Sequence, residues 1–511
     1  MRIEPVGYER LRGRYAALFV SHATGDGRAA PFFPAPWREG RALAERARRA
    51  ADKGVEPSVV AALRRTHAAA GAPPAAMAAI DRLERGAAVV VTGQQPAVGG
   101  GPLYDLYKAA GALAAARAVE AAGAPCVAVF WNHSDDVRGG DAAAFPDRDN
   151  GLKEIPLPPG EPGTPLYEAG DPDGLRMFAR ALAEALPQTE FAEALAARIL
   201  SDHRGSVAES FTRALLSILG SKGLVVLEPR DLEGERTARF FDEHLKRPER
   251  LSRAAEAGRR AVASAGFEDQ LGKDVGLDVF EMRPGRRIRL ERAERTSSHR
   301  LSAGVALRPL LQDAVLPTCA YVGGPGELGY LAALGPAYEA FGIERPAVLP
   351  RPTATLMEPK VSRAVEKLGA VEILFGDEAA LAAAFGGPRD GGPERVERLA
   401  ERWSAEVAES LGDAAASPSL ARALEKTTGK IREAMKALAG RLRDELARQE
   451  TTDQGRRARL LGHVFPGGKL QERVFTPLYY AALFGEAVLP SVADALAERA
   501  FAPAHHVLHL P

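Results

Sequence analysis

The sequence predicts an α/β protein built on one doubly wound parallel sheet, with two insertions and a helical coiled coil near its carboxyl end. Short apolar runs rich in Val and Ala alternate with longer helical patterns, which is the order of a βαβ unit. Two stretches between these runs are too long to be simple connections. A heptad-like pattern begins after residue 420.

Length and composition set the first limits. At roughly 100–200 residues per domain, a chain of 511 residues indicates about three folding units. The 67 Lys and Arg residues balance the 67 Asp and Glu residues, so the net charge gives no reason to expect a nucleic-acid or anionic-membrane partner. With 46% hydrophobic and 26% charged residues, the composition is that of a globular protein and not of a disordered chain.

The cysteines and the first 40 residues indicate the compartment. The two cysteines, Cys126 and Cys319, each lie in an apolar run, which excludes a disulfide framework and predicts two buried thiols. Residues 1–40 lack the basic start and apolar stretch of a signal peptide, and no window reaches the roughly 18 apolar residues of a membrane span. We therefore expect a cytoplasmic protein.

The first part of the chain predicts helices and then a βαβ unit. Residues 39–85 are rich in Ala, Arg, Leu and Glu and predict two or three helices, so we place an N-terminal helical region over residues 1–86. A strand at 88–92, a helix from Pro102 to about residue 122 and a strand at 125–131 follow. This order predicts two parallel strands with a right-handed crossover.

Three later runs have the same buried-strand character and complete the predicted sheet. The runs cover 224–228, 316–322 and 347–349, and helical stretches beside them cover 207–219 and 328–341. We place the whole core over residues 87–385. Two segments within it, 139–204 and 231–306, are predicted insertions with structure of their own. The second contains strand-like pieces around 275–282 and 286–290.

The helical pattern after the core predicts an antiparallel hairpin or a short coiled coil over residues 386–465, and a C-terminal segment over 466–511. One apolar seam consists of Leu424, Ile431 and Leu438, and a second consists of Thr428, Met435 and Leu442. Because both seams need a partner surface, we expect a homodimer. The alternative is that helices at 396–411 or 39–85 cover the seams within one chain.

The strongest local signal for a ligand follows the first strand. It consists of Thr92, Gly93, Gln94 and Gln95, with Gly101, Pro102 and Tyr104 after the turn. Glycines let a ligand approach the backbone, and the free N–H groups of a helix start can face an anion. The run matches neither a P-loop nor a dinucleotide fingerprint. A tight turn without a ligand is the alternative, although two amides at the end of a parallel strand favour a ligand.

A dense polar run follows the second strand. It contains Asn132, His133, Ser134, Asp135 and Asp136. Such a run could bind an amine or a metal, or supply a general base. The metal is weakly supported, because side chains adjacent in sequence rarely point to one centre. A capped, solvated loop is the simpler alternative.

Two further strand ends add glycine, carboxylate and guanidinium groups to the predicted site. The third strand end contributes Gly323, Gly324, Gly326, Glu327 and Tyr330, and the fourth contributes Arg351 and Lys360. The carboxylate of Glu327 suits an ammonium group, unless it only complements a helix dipole. A cation at Arg351 could meet a phosphate or carboxylate, although a surface ion pair would give the same pattern.

These motifs resemble the bacillithiol biosynthesis cysteine-adding enzymes, the BshC family. The resemblance rests on residues 92–104 with Lys108, on 307–313 leading into 321–327, and on 470–474, in the same order along nearly the whole chain. It implies a Rossmann-like core similar to that of class I synthetases, with two connecting-peptide insertions and a dimerising coiled coil. One departure is local: the family has Glu-Asp-His-Asp shortly after Phe-Trp, and this chain has 132–136 there.

The resemblance implies the last step of bacillithiol synthesis, in which the carboxyl of cysteine is joined to the amine of glucosaminyl-malate. It implies ATP, or its product ADP or AMP, as the nucleotide, with a metal left open. We assign catalytic roles to Asp135, Asp136, Glu327 and His133. We assign substrate or nucleotide contacts to Thr92, Gly93, Gln94, Gln95, Gly101, Pro102, Tyr104, Lys108, Asn132, Gly323, Gly324, Gly326, Tyr330, Arg351 and Lys360.

Two other functions stay open at this point. An inactive scaffold or regulatory protein could keep the sheet and coiled coil without activity. A synthetase-like ligase for another amine or amino acid is the second, but the neutral charge and the lack of His-Ile-Gly-His and Lys-Met-Ser-Lys-Ser runs disfavour a tRNA substrate. The expected partners are therefore cysteine, glucosaminyl-malate and a second copy of the chain, with neither nucleic acid nor membrane.

Overall fold

The computed structural model describes residues 1–11, 13–137, 139, 141–272, 275–294, 299–369, 371–376, 381, 391–410 and 417–511. The chain forms two compact units: Met1–Pro359 together with Phe465–Pro511, and Lys360–Val464. The helical unit therefore begins at Lys360, before the predicted start at residue 386. The predicted boundary itself, between residues 385 and 386, lies outside the described residues.

The described strands are β1 (Arg2–Gly7), β2 (Ala88–Gln94), β3 (Cys126–Asn132), β4 (Ala142–Pro146), β5 (Leu152–Pro156), β6 (Val225–Leu227), β7 (Val279–Arg283), β8 (Arg286–Arg289), β9 (Arg300–Ala303), β10 (Thr318–Gly323), β11 (Ala347–Pro350), β12 (Thr353–Met357) and β13 (Ala504–His509). They form one five-stranded sheet, two three-stranded sheets and one hairpin.

The described α-helices are α1 (Ala17–Thr24), α2 (Gly40–Ala51), α3 (Pro57–Ala70), α4 (Pro74–Glu84), α5 (Leu103–Ala121), α6 (Pro172–Ala185), α7 (Ala192–Asp202), α8 (Val207–Leu219), α9 (Glu235–Lys246), α10 (Glu249–Ser264), α11 (Arg308–Val315), α12 (Pro325–Ala333), α13 (Gly335–Phe341), α14 (Pro359–Glu366), α15 (Gly392–Ser410), α16 (Pro418–Val464), α17 (Pro477–Phe484) and α18 (Val488–Ala497). Short 3-10 helices cover Tyr8–Leu11, Ala30–Phe32, Val98–Gly100, Gly220–Lys222, Pro229–Leu232, Val371–Phe375, Pro466–Gly468 and Gln471–Arg473.

The central sheet confirms the predicted doubly wound core. Its order is β11-β10-β2-β3-β6 and every neighbouring pair is parallel. All five predicted strands are present. Their residues are buried on both faces, which explains why each strand is a continuous apolar run without alternation. The carboxyl ends of β2 and β3 lie side by side, with Gln94 opposite Asn132.

Helix α5 packs against the middle of this sheet, and its many alanines are buried. Gly111 permits the close approach, because a Cβ there would come within 2.8 Å of Pro352 and 3.0 Å of Val322. The two cysteines are free and buried in β3 and β10, as predicted, with their sulfur atoms 3.9 Å apart.

A second sheet joins the two ends of the chain. β1 pairs antiparallel with β13, which also pairs in parallel with β12. Residues 1–86 therefore contain a strand as well as the predicted helices α2, α3 and α4, and residues 466–511 belong to the larger unit. The sequence concealed this sheet because Arg2 pairs with His509, at the opposite end of the chain.

Both long segments within the core carry their own elements. The first holds the hairpin of β4 and β5 and helices α6 and α7. The second holds α9 and α10 and an antiparallel sheet of order β8-β7-β9, in which β7 and β8 are the predicted strand-like pieces. This small sheet supplies one wall of the site described below.

The smaller unit contains the predicted antiparallel hairpin, formed by α15 and α16. Arg443, in the second half of the hairpin, pairs with Glu397 at 2.6 Å and with Glu394 at 3.8 Å near the start of α15, as an antiparallel arrangement requires. Helix α15 packs along α16 and its Gly392 lies against Leu442 of the second seam, whereas Leu438 of the first seam is 52% exposed. The alternative of covering a seam within one chain is therefore realised in part.

Among the residues that the structure describes, no single helix has both the length and the apolar composition to cross a membrane. The pair α17 and α18 meets that test only when both are counted across a 119° bend.

Candidate functional site

A cavity of about 560 Å³ opens at the carboxyl ends of β2, β3 and β10. Its volume lies in the range of small-molecule sites, and its position is where open α/β sheets bind ligands. Thirteen predicted site residues line it: Gly93, Gln94, Gln95, Tyr104, Lys108, His133, Asp135, Asp136, Gly324, Gly326, Glu327, Tyr330 and Arg351. The cavity therefore brings together residues that follow four different strands in the sequence.

The other six predicted residues do not line this cavity: Thr92, Gly101, Pro102, Asn132, Gly323 and Lys360. Thr92 donates a hydrogen bond to the carbonyl of Val322 inside the sheet. Asn132 donates to the carbonyl of Ala208 and anchors the strand end to α8. Lys360 is the first residue of the smaller unit. Thr92 and Asn132 therefore support the frame around the site.

The glycine turn before α5 differs from the predicted anion cradle. The N–H of Gly99 donates to Nε2 of His203 at 2.9 Å, and the N–H of Leu103 donates to the carbonyl of Phe475 at 2.9 Å. A Cβ on Gly101 would overlap the carboxyl of Asp105. Protein groups from distant segments therefore occupy the place where an anion was expected.

Lys108 of α5 connects the carboxyl ends of β2 and β10. Its buried Nζ donates to the carbonyl of Gly93 at 2.6 Å and to Oε1 of Gln94 at 2.7 Å, and it forms an ion pair with Glu327 at 2.5 Å. Burial lowers the pKa of Lys108, although the neighbouring carboxylate opposes that shift. The lysine thus fixes two motifs that the sequence separates by more than 200 residues.

Glu327 is not free to bind an ammonium group, contrary to the prediction. Besides Lys108, its oxygens accept hydrogen bonds from the hydroxyl of Tyr321 at 2.6 Å and from the N–H of Gly324 at 2.7 Å. Burial alone would raise the pKa of Glu327, but the charge of Lys108 and these donors lower it below the usual value. Its carboxylate is therefore ionised and holds the turn before α12.

The negative charges of the two aspartates after β3 are also balanced by protein groups. Arg300 of β9 binds both oxygens of Asp135, at 2.5 and 2.8 Å. Asp136 accepts from Gln95 at 3.2 Å and from Arg287 of β8 at 3.3 Å. The small sheet of the second insertion is thereby clamped over the cavity. The prediction that these carboxylates hold a substrate amine does not account for their arginine partners.

His133 follows β3 at the edge of the cavity. Its backbone continues the pairing with Gln94, and its ring lines the cavity beside Gly93. Nε2 has no hydrogen-bond partner among the described residues. Burial, and then the charges of Arg308, Lys108 and Arg287, lower the pKa of His133 well below its usual value, so the imidazole is neutral.

Several charged residues at the site were not predicted from the sequence, among them Arg287 and Arg300 of the small sheet, Arg308 and Glu472. Arg308, the first residue of α11, lines the cavity, although it precedes a helix and does not follow a strand. Glu472 is buried and binds Arg351 through both of its oxygens, at 2.5 and 3.1 Å. Arg308 and Glu472 lie inside the stretches 307–313 and 470–474 on which the family resemblance rests, and that resemblance was the available signal.

The described residues contain no group of three or more His, Cys, Asp or Glu side chains arranged to hold a metal ion. The site is instead built from paired charges, amides and tyrosines around a neutral imidazole.

Comparison with known proteins gives a consistent result over the whole chain. A family model for the N-terminal Rossmann-like domain of bacillithiol biosynthesis BshC matches residues 1–300 and 290–352, and one for the C-terminal coiled-coil domain matches 354–510. Similar curated proteins bear the name "Putative cysteine ligase BshC". One from Salinibacter ruber is 28% identical, with 97% of this chain and 96% of the relative aligned.

A second, from Koribacter versatilis, is 29% identical, with 89% of this chain and 90% of the relative aligned. A third, from Thermus thermophilus, is 32% identical, with 88% of this chain and 93% of the relative aligned. The similarity thus extends over both units of the chain and not over the sheet alone.

Proposed function

This chain belongs to the bacillithiol biosynthesis BshC family, and from that premise we propose that it is the ligase that joins the carboxyl of cysteine to the amine of glucosaminyl-malate. The observation that carries the proposal is the cavity at the carboxyl ends of β2, β3 and β10. Amide formation requires a carboxylate, an amine and an activating group held together away from water. Fixed cations, a neutral imidazole and glycine turns in one cavity provide these contacts.

We propose ATP as the activating substrate. A free carboxylate does not react with an amine, so one carboxylate oxygen of cysteine attacks the α-phosphorus and pyrophosphate leaves. The acceptor amine then attacks the acyl carbon, and AMP leaves with the electron pair of the broken bond. The start of α12 has room for a phosphate, because a Cβ on Gly326 would meet only open space and both Gly324 and Gly326 line the cavity.

We assign the proton transfer to His133. The amine must lose a proton as the amide forms, and a neutral imidazole can accept one. Among the described residues, the cavity carboxylates of Asp135, Asp136 and Glu327 already accept hydrogen bonds from cationic or neutral protein donors. They position the walls of the site, while His133 retains an unpartnered Nε2.

The reaction is tested with purified protein, cysteine, glucosaminyl-malate and ATP, and the products are measured by mass spectrometry. We expect bacillithiol together with AMP and pyrophosphate, and no bacillithiol when any one of the three substrates is omitted. Bacillithiol with ADP and phosphate would contradict the adenylate route only. An absence of bacillithiol with every nucleotide would contradict the ligase assignment.

We also propose a homodimer formed through the helical hairpin. Leu399 and Trp403 lie one turn apart on α15, and Leu420 and Leu438 lie on one face of α16, since 18 residues complete five turns. All four are exposed. Light scattering at micromolar protein should give twice the chain mass, and Leu438→Lys should lower it. A monomer mass for the unaltered protein would refute this arrangement.

A further inference from the structure

Most cations that line the cavity have a carboxylate partner. These ion pairs are Lys108 with Glu327, Arg300 with Asp135, Arg287 with Asp136, and Arg351 with Glu472. In each pair the positive charge is balanced before any substrate arrives. These cations therefore hold the cavity in shape and have little charge left for an anionic ligand.

Arg308 is different. Only 5% of its surface is exposed, yet no carboxylate of the described residues lies within ion-pair distance of it. Nη1 donates to Oε1 of Gln312 at 3.0 Å, and Nη2 donates to the hydroxyl of Tyr330 at 2.9 Å. These neutral partners fix the guanidinium without balancing its charge. Glu327 is close by, but its oxygens are taken by Tyr321, Gly324 and Lys108.

Aromatic rings complete the cage around this guanidinium. Its central carbon lies 5.9 Å from the ring centroid of Trp131 and 5.6 Å from that of Tyr321. Rings of this kind orient an arginine and remove water from it. An uncompensated buried charge is costly, so the arrangement is complete only with an anion in the cavity. Arg473, which also lines the cavity, is exposed to solvent and carries no such cost.

We infer that Arg308 binds a carboxylate of the malyl group of the acceptor and thereby sets acceptor specificity; this inference rests on the proposed function. The carboxylate of cysteine loses its charge when it is activated, so a fixed buried cation would oppose that step. The malyl carboxylates keep their charge throughout the reaction. A permanent anion is the appropriate partner for a guanidinium that cannot lose its proton.

The kinetic test compares Arg308→Met and Arg308→Lys with the unaltered enzyme. A charge-assisted hydrogen bond contributes about 1.5–3 kcal/mol, so KM for glucosaminyl-malate should rise roughly 10- to 100-fold in Arg308→Met, with KM for cysteine unchanged. The preference for glucosaminyl-malate over methyl glucosaminide, which lacks the malyl carboxylates, should fall by the same factor. In Arg308→Lys both the rise in KM for glucosaminyl-malate and the fall in acceptor preference should be smaller, because lysine keeps the positive charge.

Arg345→Met is the matched control. Arg345 is a largely buried arginine of the same unit that donates to the carbonyls of Phe32 and Leu331 and does not line this cavity. Its loss should leave acceptor preference unchanged even if the variant is less stable. A rise in KM for cysteine in Arg308→Met, or an unchanged acceptor preference, would overturn the inference.

A binding measurement separates this inference from the ligase proposal. Millimolar malate should raise the melting temperature of the unaltered protein but not that of Arg308→Met. The Arg308→Met protein should fold without malate, since it no longer buries an unpaired charge. Malate stabilisation that requires Arg308 would support the site even if no bacillithiol formed. Equal malate stabilisation of both proteins would overturn it even if bacillithiol formed.

Discussion

Two glycine-rich turns of the larger unit have opposite uses, although both follow a buried parallel strand and precede a helix. The turn at 99–101 packs against the first insertion and the C-terminal segment, whereas the turn at 323–326 borders the cavity. The glycines predict the path of the backbone in both cases. Whether a turn binds a ligand depends on what distant segments place against its N–H groups.

In the turn at 99–101, which we call the packed turn, the backbone conformation favours glycine. Gly99, Gly100 and Gly101 have φ values of +66°, +77° and +74°, which favour glycine at three successive positions. The hydroxyl of Thr476 donates to the carbonyl of Gly99, so both the N–H and the carbonyl of Gly99 are hydrogen-bonded to protein side chains. By contrast, Gly326 has open space in the direction of a Cβ.

The largest expected effect is that of Gly101→Val. Gly101 has φ +74° and ψ −179°, and its Cβ would overlap the carboxyl of Asp105 and lie 3.2 Å from the ring of Phe211. Backbone strain and overpacking should together lower the free energy of unfolding by about 3 kcal/mol or more. Chemical denaturation measures this loss. A stable variant with impaired substrate binding would show instead that this turn belongs to the ligand site.

The sheet and the site differ in how far the sequence could predict them. β2 and β3 were predictable because a strand buried on both faces must be continuously apolar, and α8 because Ser206 and Glu209 form a capping box at its start. The sheet of β1, β12 and β13 was not, since no local pattern specifies a partner at the other end of the chain.

For the cavity, the sequence predicted the chemical groups but not their partners. Glu327 and Asp135 were expected to be free for a substrate, yet Lys108 and Arg300 neutralise them. One partner comes from a helix face and the other from an insertion, so only the tertiary fold could place them. Arg308 was not predicted for the opposite reason. Its distinguishing property is that it is buried without a carboxylate partner, and only the folded structure shows which groups surround it.

The next largest expected effect is a pH dependence of protein stability that arises from the turn at 99–101. Burial lowers the pKa of His203 to about 4 from its usual 6.5, and Nε2 accepts the N–H of Gly99. The unfolded chain therefore takes up a proton at a higher pH than the folded chain. The contribution of His203 is complete above pH 6.5 and is lost as the pH falls towards 4, by about 2–3 kcal/mol at most.

His203→Gln isolates this contribution, because a glutamine oxygen can accept the same N–H without titrating. The stability difference between the two proteins, measured by denaturation at pH 7.5 and at pH 4.5, should shrink or reverse at the lower pH. Other buried histidines, such as His67 and His505, have lowered pKa values and contribute equally to both proteins. A difference independent of pH would show that His203 serves packing alone.

The smallest effect, and the one that most sharpens the comparison, is that of Gly326→Ala. The new methyl group would meet nothing within 4 Å, and the residue lies in the first turn of α12 without a positive φ. Its stability should be unchanged or up to about 1 kcal/mol higher, because alanine favours helix. Because Gly326 lines the cavity, KM for ATP should rise several-fold while KM for glucosaminyl-malate stays constant. Melting curves and steady-state kinetics on the same preparation decide the matter: a destabilised variant with normal KM values would mean that this turn, like the one at Gly101, is a packing turn.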